Sequence, residues 1–186
     1  MGALAPGLDW LGDYTSQNFE YYGAPQTIAL MRQAVLDDAQ HFETRQLAEA
    51  LCEGLDSKDY TSEYLALYYG VLRSCRYMRD PRNNELVRAP WIVSRSILQG
   101  HQPSVDCDDL ATLLASLVIA VGGQPEFVTV AFADQFVDGE RQYSHVFLRA
   151  LEQRSHTYII LDPVAAENTP KMLRRVKAAM VWPITA

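Results

Sequence analysis

Apolar residues recur at three- and four-residue steps through Leu110, Leu113, Leu114, Leu117, Val118 and Val121, the stripe of an α-helix that Gly122-Gly123 stops. The same period appears three times earlier in the chain. Ile28, Met31 and Val35, widened by Leu30, Ala34 and Leu36, predict a helix with Pro25 near its first turn. Leu47, Ala48, Leu51 and Cys52 predict a second, ended by Gly54. A third is expected from Asp59 or Ser62 through Tyr64, Leu65, Tyr68, Leu72, Cys75 and Tyr77, with Asp80-Pro81 ending it. Asp80 to Asn84 is dense in turn formers and reads as a loop. Pro90-Trp91-Ile92 then opens a short helix carrying Ile97 and Leu98.

After Gly123 the pattern changes character. Phe127 to Phe132, Tyr143 to Leu148, His156 to Leu161 and Val176 to Trp182 are β-branched and aromatic, and predict four strands. Asp134 to Arg141, with Asp138-Gly139 inside it, reads as the turn between the first two. Helices first and antiparallel strands afterwards define an α+β chain. Its 186 residues are about one domain's worth on the usual size scale. Residues 59–186 are expected to form the core domain, and residues 1–58 an irregular arm with a helical extension. The arm, residues 1–24, carries Trp10, Phe19, Tyr21 and Tyr22, which are expected either to lie over the core or to present a surface to a protein partner.

Charge narrows the partners. A net charge of −7 gives no basic face for phosphates, so nucleic acid is not expected as the partner. With no apolar run of about 18 residues and no basic leader, neither a membrane span nor a signal peptide is expected. Three cysteines without a CxxC pair suggest no disulfide framework, and so a reducing compartment. The expected location is cytoplasmic, or virion-associated if the gene belongs to a phage. Cys52 and Cys75 fall inside helical patterns and read as small core residues.

Cys107 differs, because Val105-Asp106-Cys107-Asp108-Asp109-Leu110 sets it in the first turn of the apolar helix. Ser104 or Asp106 can cap that turn, and the positive end of the helix dipole favours a thiolate. Asp106, Asp108 and Asp109 pull the other way by like-charge repulsion. Residues 64–99 hold six basic and two acidic groups, and are the natural source of counter-charge; pairing of Asp108 or Asp109 to an arginine between Arg73 and Arg95 is expected. The same carboxylates lack the spacing of a calcium loop, and no metal or other cofactor is expected. His41, His101 and His156 fall in no ligand pair, and Lys171, Arg174, Arg175 and Lys177 read as a solvated face.

Downstream, His145 lies on the second strand and Asp162 closes the third. Pairing of those strands would bring imidazole and carboxylate within hydrogen-bond reach, with the other ring nitrogen towards a thiol. Taken singly, Cys107 reads first as a buried small hydrophobe, His145 as a strand histidine and Asp162 as a turn residue before Pro163. Taken together and in this order they are the set a cysteine nucleophile needs.

Asp106-Cys107-Asp108-Asp109 opening an apolar helix, Ser144-His145-Val146 on a strand and Leu161-Asp162-Pro163 closing the next resemble the bacterial and phage branch of the transglutaminase-like superfamily, whose fold is similar to papain-like thiol enzymes. The likeness spans about Tyr60 to Val164. It implies Cys107 as nucleophile, His145 as general base and then acid, and Asp162 as the orienting carboxylate, in acyl transfer or in amide or peptide hydrolysis on a protein or peptide substrate. Val105 stands where members commonly carry Gly, and Asp108 where crosslinking transglutaminases carry Trp, which argues against animal-type crosslinking. An oxyanion hole would need the Cys107 N–H and a second donor, for which Gln99 and Gln102 are the upstream candidates, with Asp109 in a supporting role. The rival expectation is a catalytically silent structural or interaction protein, phage-related, that keeps the fold.

Overall fold

The computed structural model describes residues 24–79, 87–134, 136–137 and 140–184. The expected arm, up to residue 23, and the Asp80 to Asn84 loop lie outside them. Helices α1 (Ala24–Asp38), α2 (Phe42–Leu51) and α3 (Tyr60–Ser74) come first. Asp59 caps α3 by accepting from the Ser62 N–H (3.3 Å) and hydroxyl (2.6 Å). Gly54, at φ +82°, takes the left-handed turn after α2 that a side chain would strain.

The third helix is shorter than its apolar spacing predicts. It ends at Ser74, and Cys75 turns extended. Arg76–Tyr77 become strand β1, in parallel register with β2 (Ser104–Val105), Arg76 opposite Ser104 and Tyr77 opposite Val105. The Arg76 and Met78 N–H groups donate to the Pro103 and Val105 carbonyls at 2.9 and 2.8 Å. These distant partners satisfy the backbone where another helical turn would otherwise have done so.

Helix α4 (Pro90–Leu98) and helix α5 (Cys107–Ala120) follow. Strand β3 (Pro125–Ala131) leads to a small hairpin, β4 (Phe136–Val137) with β5 (Glu140–Arg141), inside the stretch expected to be only a turn. Then come β6 (His145–Glu152), β7 (Thr157–Leu161), α6 (Thr169–Leu173) and β8 (Ala178–Pro183). Helix α6 was not foreseeable from periodicity, since none of its five residues is buried and no apolar stripe marks it.

The fold is α+β. The main sheet has the order β7-β6-β3-β8 and is antiparallel throughout. Helix α5 lies against one face, where Leu110, Leu113, Leu114, Leu117 and Val118 pack with Phe127, Val146, Leu148, Ala150 and Leu161. Helices α1 to α4 all pack on α5, and Ile28, Met31, Val35, Leu47 and Ala48 join the same buried cluster. Each large apolar side chain fully buried there contributes roughly 1.5–3 kcal/mol. The other face of the sheet holds a smaller cluster of Val128, Val130 and Phe147.

Because α5 is enclosed, its two buried hydroxyls must find partners within the helix. Thr112 donates to the Asp108 carbonyl (2.6 Å) and Ser116 to the Thr112 carbonyl (3.1 Å). Among the described residues no helix is long and apolar enough to cross a membrane.

Candidate active site

Cys107 is the first residue of α5 and is half-buried. Asp106 is the N-cap, in extended conformation, its carboxylate accepting from the Asp109 N–H at 3.4 Å. Ser104, the other capping candidate, is held in β2. The N–H groups of the first turn, including that of Cys107, have no carbonyl four residues back to bond, and they direct positive potential towards the thiol.

Cys107 lines a cavity of about 390 Å³. Asp108, Thr129, Phe132 and the run Gln142 to Val146 share the lining, and α1 closes one side with Ala24, Thr27, Ile28 and Met31. His145 therefore opens onto the same cavity as Cys107. His145 is the first residue of β6, opposite Val130 on β3. Its ring lies between Phe132 and Phe147, with centroids 6.4 and 6.0 Å away, which limits rotation about χ2.

Asp162 follows the end of β7. The β6–β7 register pairs Leu148 with Leu161, so Asp162 stands one step past the last paired position and diagonal to His145. Its Oδ2 lies 2.9 Å from His145 Nε2. Its Oδ1 accepts from the Val164 and Ala165 N–H groups at 3.1 and 3.0 Å, and the Tyr68 hydroxyl donates to its carbonyl at 3.2 Å. The side chain of Asp162 is fully shielded and that of His145 only 9% exposed, so water competes little for this hydrogen bond. With Nε2 held by the carboxylate, Nδ1 is the ring nitrogen left for the cavity.

The acidic cluster is partly compensated, and by an arginine of the expected segment. Asp109 is fully buried and ion-paired with Arg88, whose backbone N–H also donates to the carboxylate at 2.7 Å. The sequence reading has neighbouring carboxylates on a helix facing apart. Here Asp106 stands outside the helix as its cap, and ligand atoms of Asp106, Asp108 and Asp109 come within 4.8 Å of one another. Asp106 accepts from the Asp109 N–H and Asp109 is paired with Arg88, which reduces what the cluster could offer a cation.

The structure does not bring Gln99 or Gln102 into the cavity lining. Gln99 caps the C-terminus of α4, and both side chains are exposed. Conversely, Thr129, Phe132 and the α1 residues shape the site although sequence reading assigned them only to strand and helix. A residue at the end of a β-branched run next to a histidine-bearing strand was the signal available for Phe132; for the α1 residues the spacing showed only a core stripe.

None of the three cysteines is in a disulfide. Burial pushes the Cys75 thiol up to about 12, with the Asp109 charge adding to it, and burial likewise pushes Cys52 up to about 11, with Glu63 adding. Both are therefore protonated at neutral pH. Alkylation of the folded protein at neutral pH, resolved by peptide mass, should label Cys107 well before either of the others. Labelling of Cys52 or Cys75 first would contradict this.

The fold is similar to part of a solved structure from Parabacteroides distasonis named a "putative protease", with a TM-score of 0.53 and 14% identity. The likeness covers 75% of this chain and 26% of that one, so this chain spans about a quarter of that protein's length. Similarity at this level of identity concerns the fold. No protein-family profile and no curated protein matches the chain.

Proposed function

We propose that Cys107, His145 and Asp162 form a catalytic triad for thiol-dependent acyl transfer or amide or peptide hydrolysis, on a core of the papain-like, transglutaminase-like kind. The observation that carries this reading is the shielded His145–Asp162 pair, turned to the cavity onto which Cys107 opens. The named likeness to a protease-type fold is compatible with hydrolysis.

The chemistry follows from the geometry. His145 takes the Cys107 proton on Nδ1, and Asp162 stabilises the resulting imidazolium through Nε2. The thiolate attacks the substrate carbonyl carbon, forming the C–S bond while the carbonyl π electrons move to oxygen. The Cys107 N–H, in the first turn of α5, is a donor for that oxyanion. As the C–N bond breaks, His145 returns the proton to the departing amine and a thioester remains. Water or a second amine, deprotonated by His145, then attacks the thioester and releases the thiol. The cavity admits several side-chain-sized groups, which suits a protein or peptide substrate.

Intact-mass measurement of adducts with activated acyl esters tests this. Wild type should accumulate a thioester on Cys107, Cys107→Ala should form none there, and His145→Ala should form it roughly 10²-fold or more slowly. Equal rates for wild type and His145→Ala would sink the triad and leave a structural protein with an incidental thiol.

A further inference from the structure

Ala24, Thr27, Ile28 and Met31 of α1 line the candidate cavity, and they form one face of that helix. They recur at three- and four-residue steps, which sets them in a row along one side. The row deepens along the helix. Ala24 and Thr27 are half-buried, whereas Ile28 is 2% exposed and Met31 is fully shielded. Helix α1 precedes the stretch from about Tyr60 to Val164 that carries the superfamily resemblance, so that resemblance assigns this wall no role.

The sheet completes the enclosure. Thr129 on β3 stands opposite Val146 on β6 in the antiparallel register, and both are buried and line the cavity. Trp182 Nε1 donates to the Thr129 hydroxyl oxygen at 3.0 Å, so that oxygen already has a partner within the protein. The charged or titratable lining residues are Cys107, Asp108, Tyr143 and His145, which belong to α5 and to the start of β6 and the residues just before it. The α1 row and the Thr129–Val146 pair carry no charge, and what they offer a ligand is mainly apolar surface.

We propose that this end of the cavity is the subsite for the acyl donor's side chain, and that it selects an uncharged, apolar one of leucine or methionine size. The inference rests on the thiol chemistry read above and names the substrate class for it. Cys107 and the α1 row share one cavity of about 390 Å³, so a substrate whose carbonyl carbon reaches the sulfur has its adjoining side chain within the same enclosure. That volume lies in the range of small-ligand clefts, roughly 300–1,000 Å³. A leucine side chain set against Ile28, Met31 and Val146 exchanges water for apolar contact. An alanine would leave part of that space unfilled. A carboxylate or an ammonium would lose its hydration there with no opposite charge on α1 or β3 to replace it, and a carboxylate would also meet the negative charge of Asp108.

The test uses the p-nitrophenyl esters of N-acetyl-leucine, -alanine, -glutamate and -lysine on the folded chain, followed by intact and peptide mass. With each, His145 takes the thiol proton, the Cys107 sulfur bonds to the carbonyl carbon, and p-nitrophenolate leaves with the electron pair of the broken C–O bond. Dividing each rate by that of the same ester with free N-acetylcysteine removes the esters' own differences in reactivity. The leucyl ester should label Cys107 roughly tenfold or more faster than the alanyl ester, since one methylene in an apolar pocket already discriminates about 10- to 200-fold. The glutamyl and lysyl esters should be no faster than the alanyl ester. Thr27→Phe fills the half-buried part of the wall, and Ala24→Leu fills it about one turn earlier. Each should bring the leucyl-to-alanyl ratio close to one, with a thermal melt confirming the fold; if one variant does not fold, the other carries the test.

Equal corrected rates for the four esters, or a lysyl or glutamyl ester faster than the leucyl one, would overturn the apolar subsite; the triad then stands if His145→Ala still slows labelling, and both readings fall if it does not. A leucyl preference kept unchanged in the folded Thr27→Phe and Ala24→Leu variants would overturn the part given to α1. No adduct from any ester, on a Cys107 that iodoacetamide still alkylates, would overturn the acyl-transfer reading itself and the subsite with it.

Discussion

Replacing Asp162 by Asn should reduce the rate of acyl adduct formation at Cys107 on the order of 10²–10⁴-fold while leaving the fold intact. The reason lies in how the two oxygens of Asp162 are used. Oδ1 accepts from two backbone N–H groups, those of Val164 and Ala165, and Oδ2 faces His145 Nε2. An asparagine keeps the first set only by placing its own oxygen there, because an amide NH₂ would meet two donors. Its NH₂ is then forced towards Nε2, which must become an acceptor, and the proton moves to Nδ1. That tautomer cannot take a proton from a thiol. Asp162→Ala differs, since it loses the turn bonds as well and should lower the melting temperature along with the rate. Adduct formation followed by intact mass, with a thermal melt on each variant, separates the two effects. An Asp162→Asn rate within about threefold of wild type, well inside the range a lost orienting hydrogen bond should exceed, would remove the tautomer argument.

The same residues show what sequence pattern can and cannot reach. Adjacent strands joined by a short connection pair antiparallel, which brings β6 beside β7, but the register that sets Asp162 diagonal to His145 comes only from the packed chain. The enclosed helix α5 is legible because its apolar residues occur on every turn. The source of counter-charge for Asp109 is legible from the arginine-rich segment, although the particular arginine, Arg88, is not. Strands β1 and β2 are two residues each, too short to show any period, and Cys75 and Tyr77 continue the spacing of α3 by coincidence. Their pairing joins residues 28 apart by register, information carried only by the packed chain. The cavity wall from α1 is invisible for a different reason, since a stripe of Ile28 and Met31 looks the same whether it faces solid core or the edge of a cavity.

The Arg88–Asp109 pair makes the largest stability prediction. Asp109→Ala should cost about 3–5 kcal/mol, the usual loss when one member of a buried ion pair is removed. The Asp109 side chain is fully buried and that of Arg88 only 12% exposed, so the guanidinium left behind has little access to water. The Arg88 backbone N–H, which donates to Asp109 at 2.7 Å, loses its acceptor as well. The cost therefore comes less from a lost attraction than from taking the Asp109 acceptor away from a shielded charge and a backbone donor. This distinction is testable, because removing both charges should be far cheaper than removing one. Arg88→Met with Asp109→Leu keeps apolar volume at both positions and should recover most of the loss, leaving mainly the unsatisfied Arg88 N–H at roughly 1–3 kcal/mol. Urea denaturation of wild type, both single variants and the double variant gives the cycle directly, with a constant slope confirming that only stability has changed. A double variant as unstable as the sum of the two singles would mean that the pair is not coupled. The thiols give an independent readout, since the Asp109 charge helps to raise Cys75. Its removal should lower the pH at which Cys75 is alkylated, provided the comparison is made well below the denaturation midpoint.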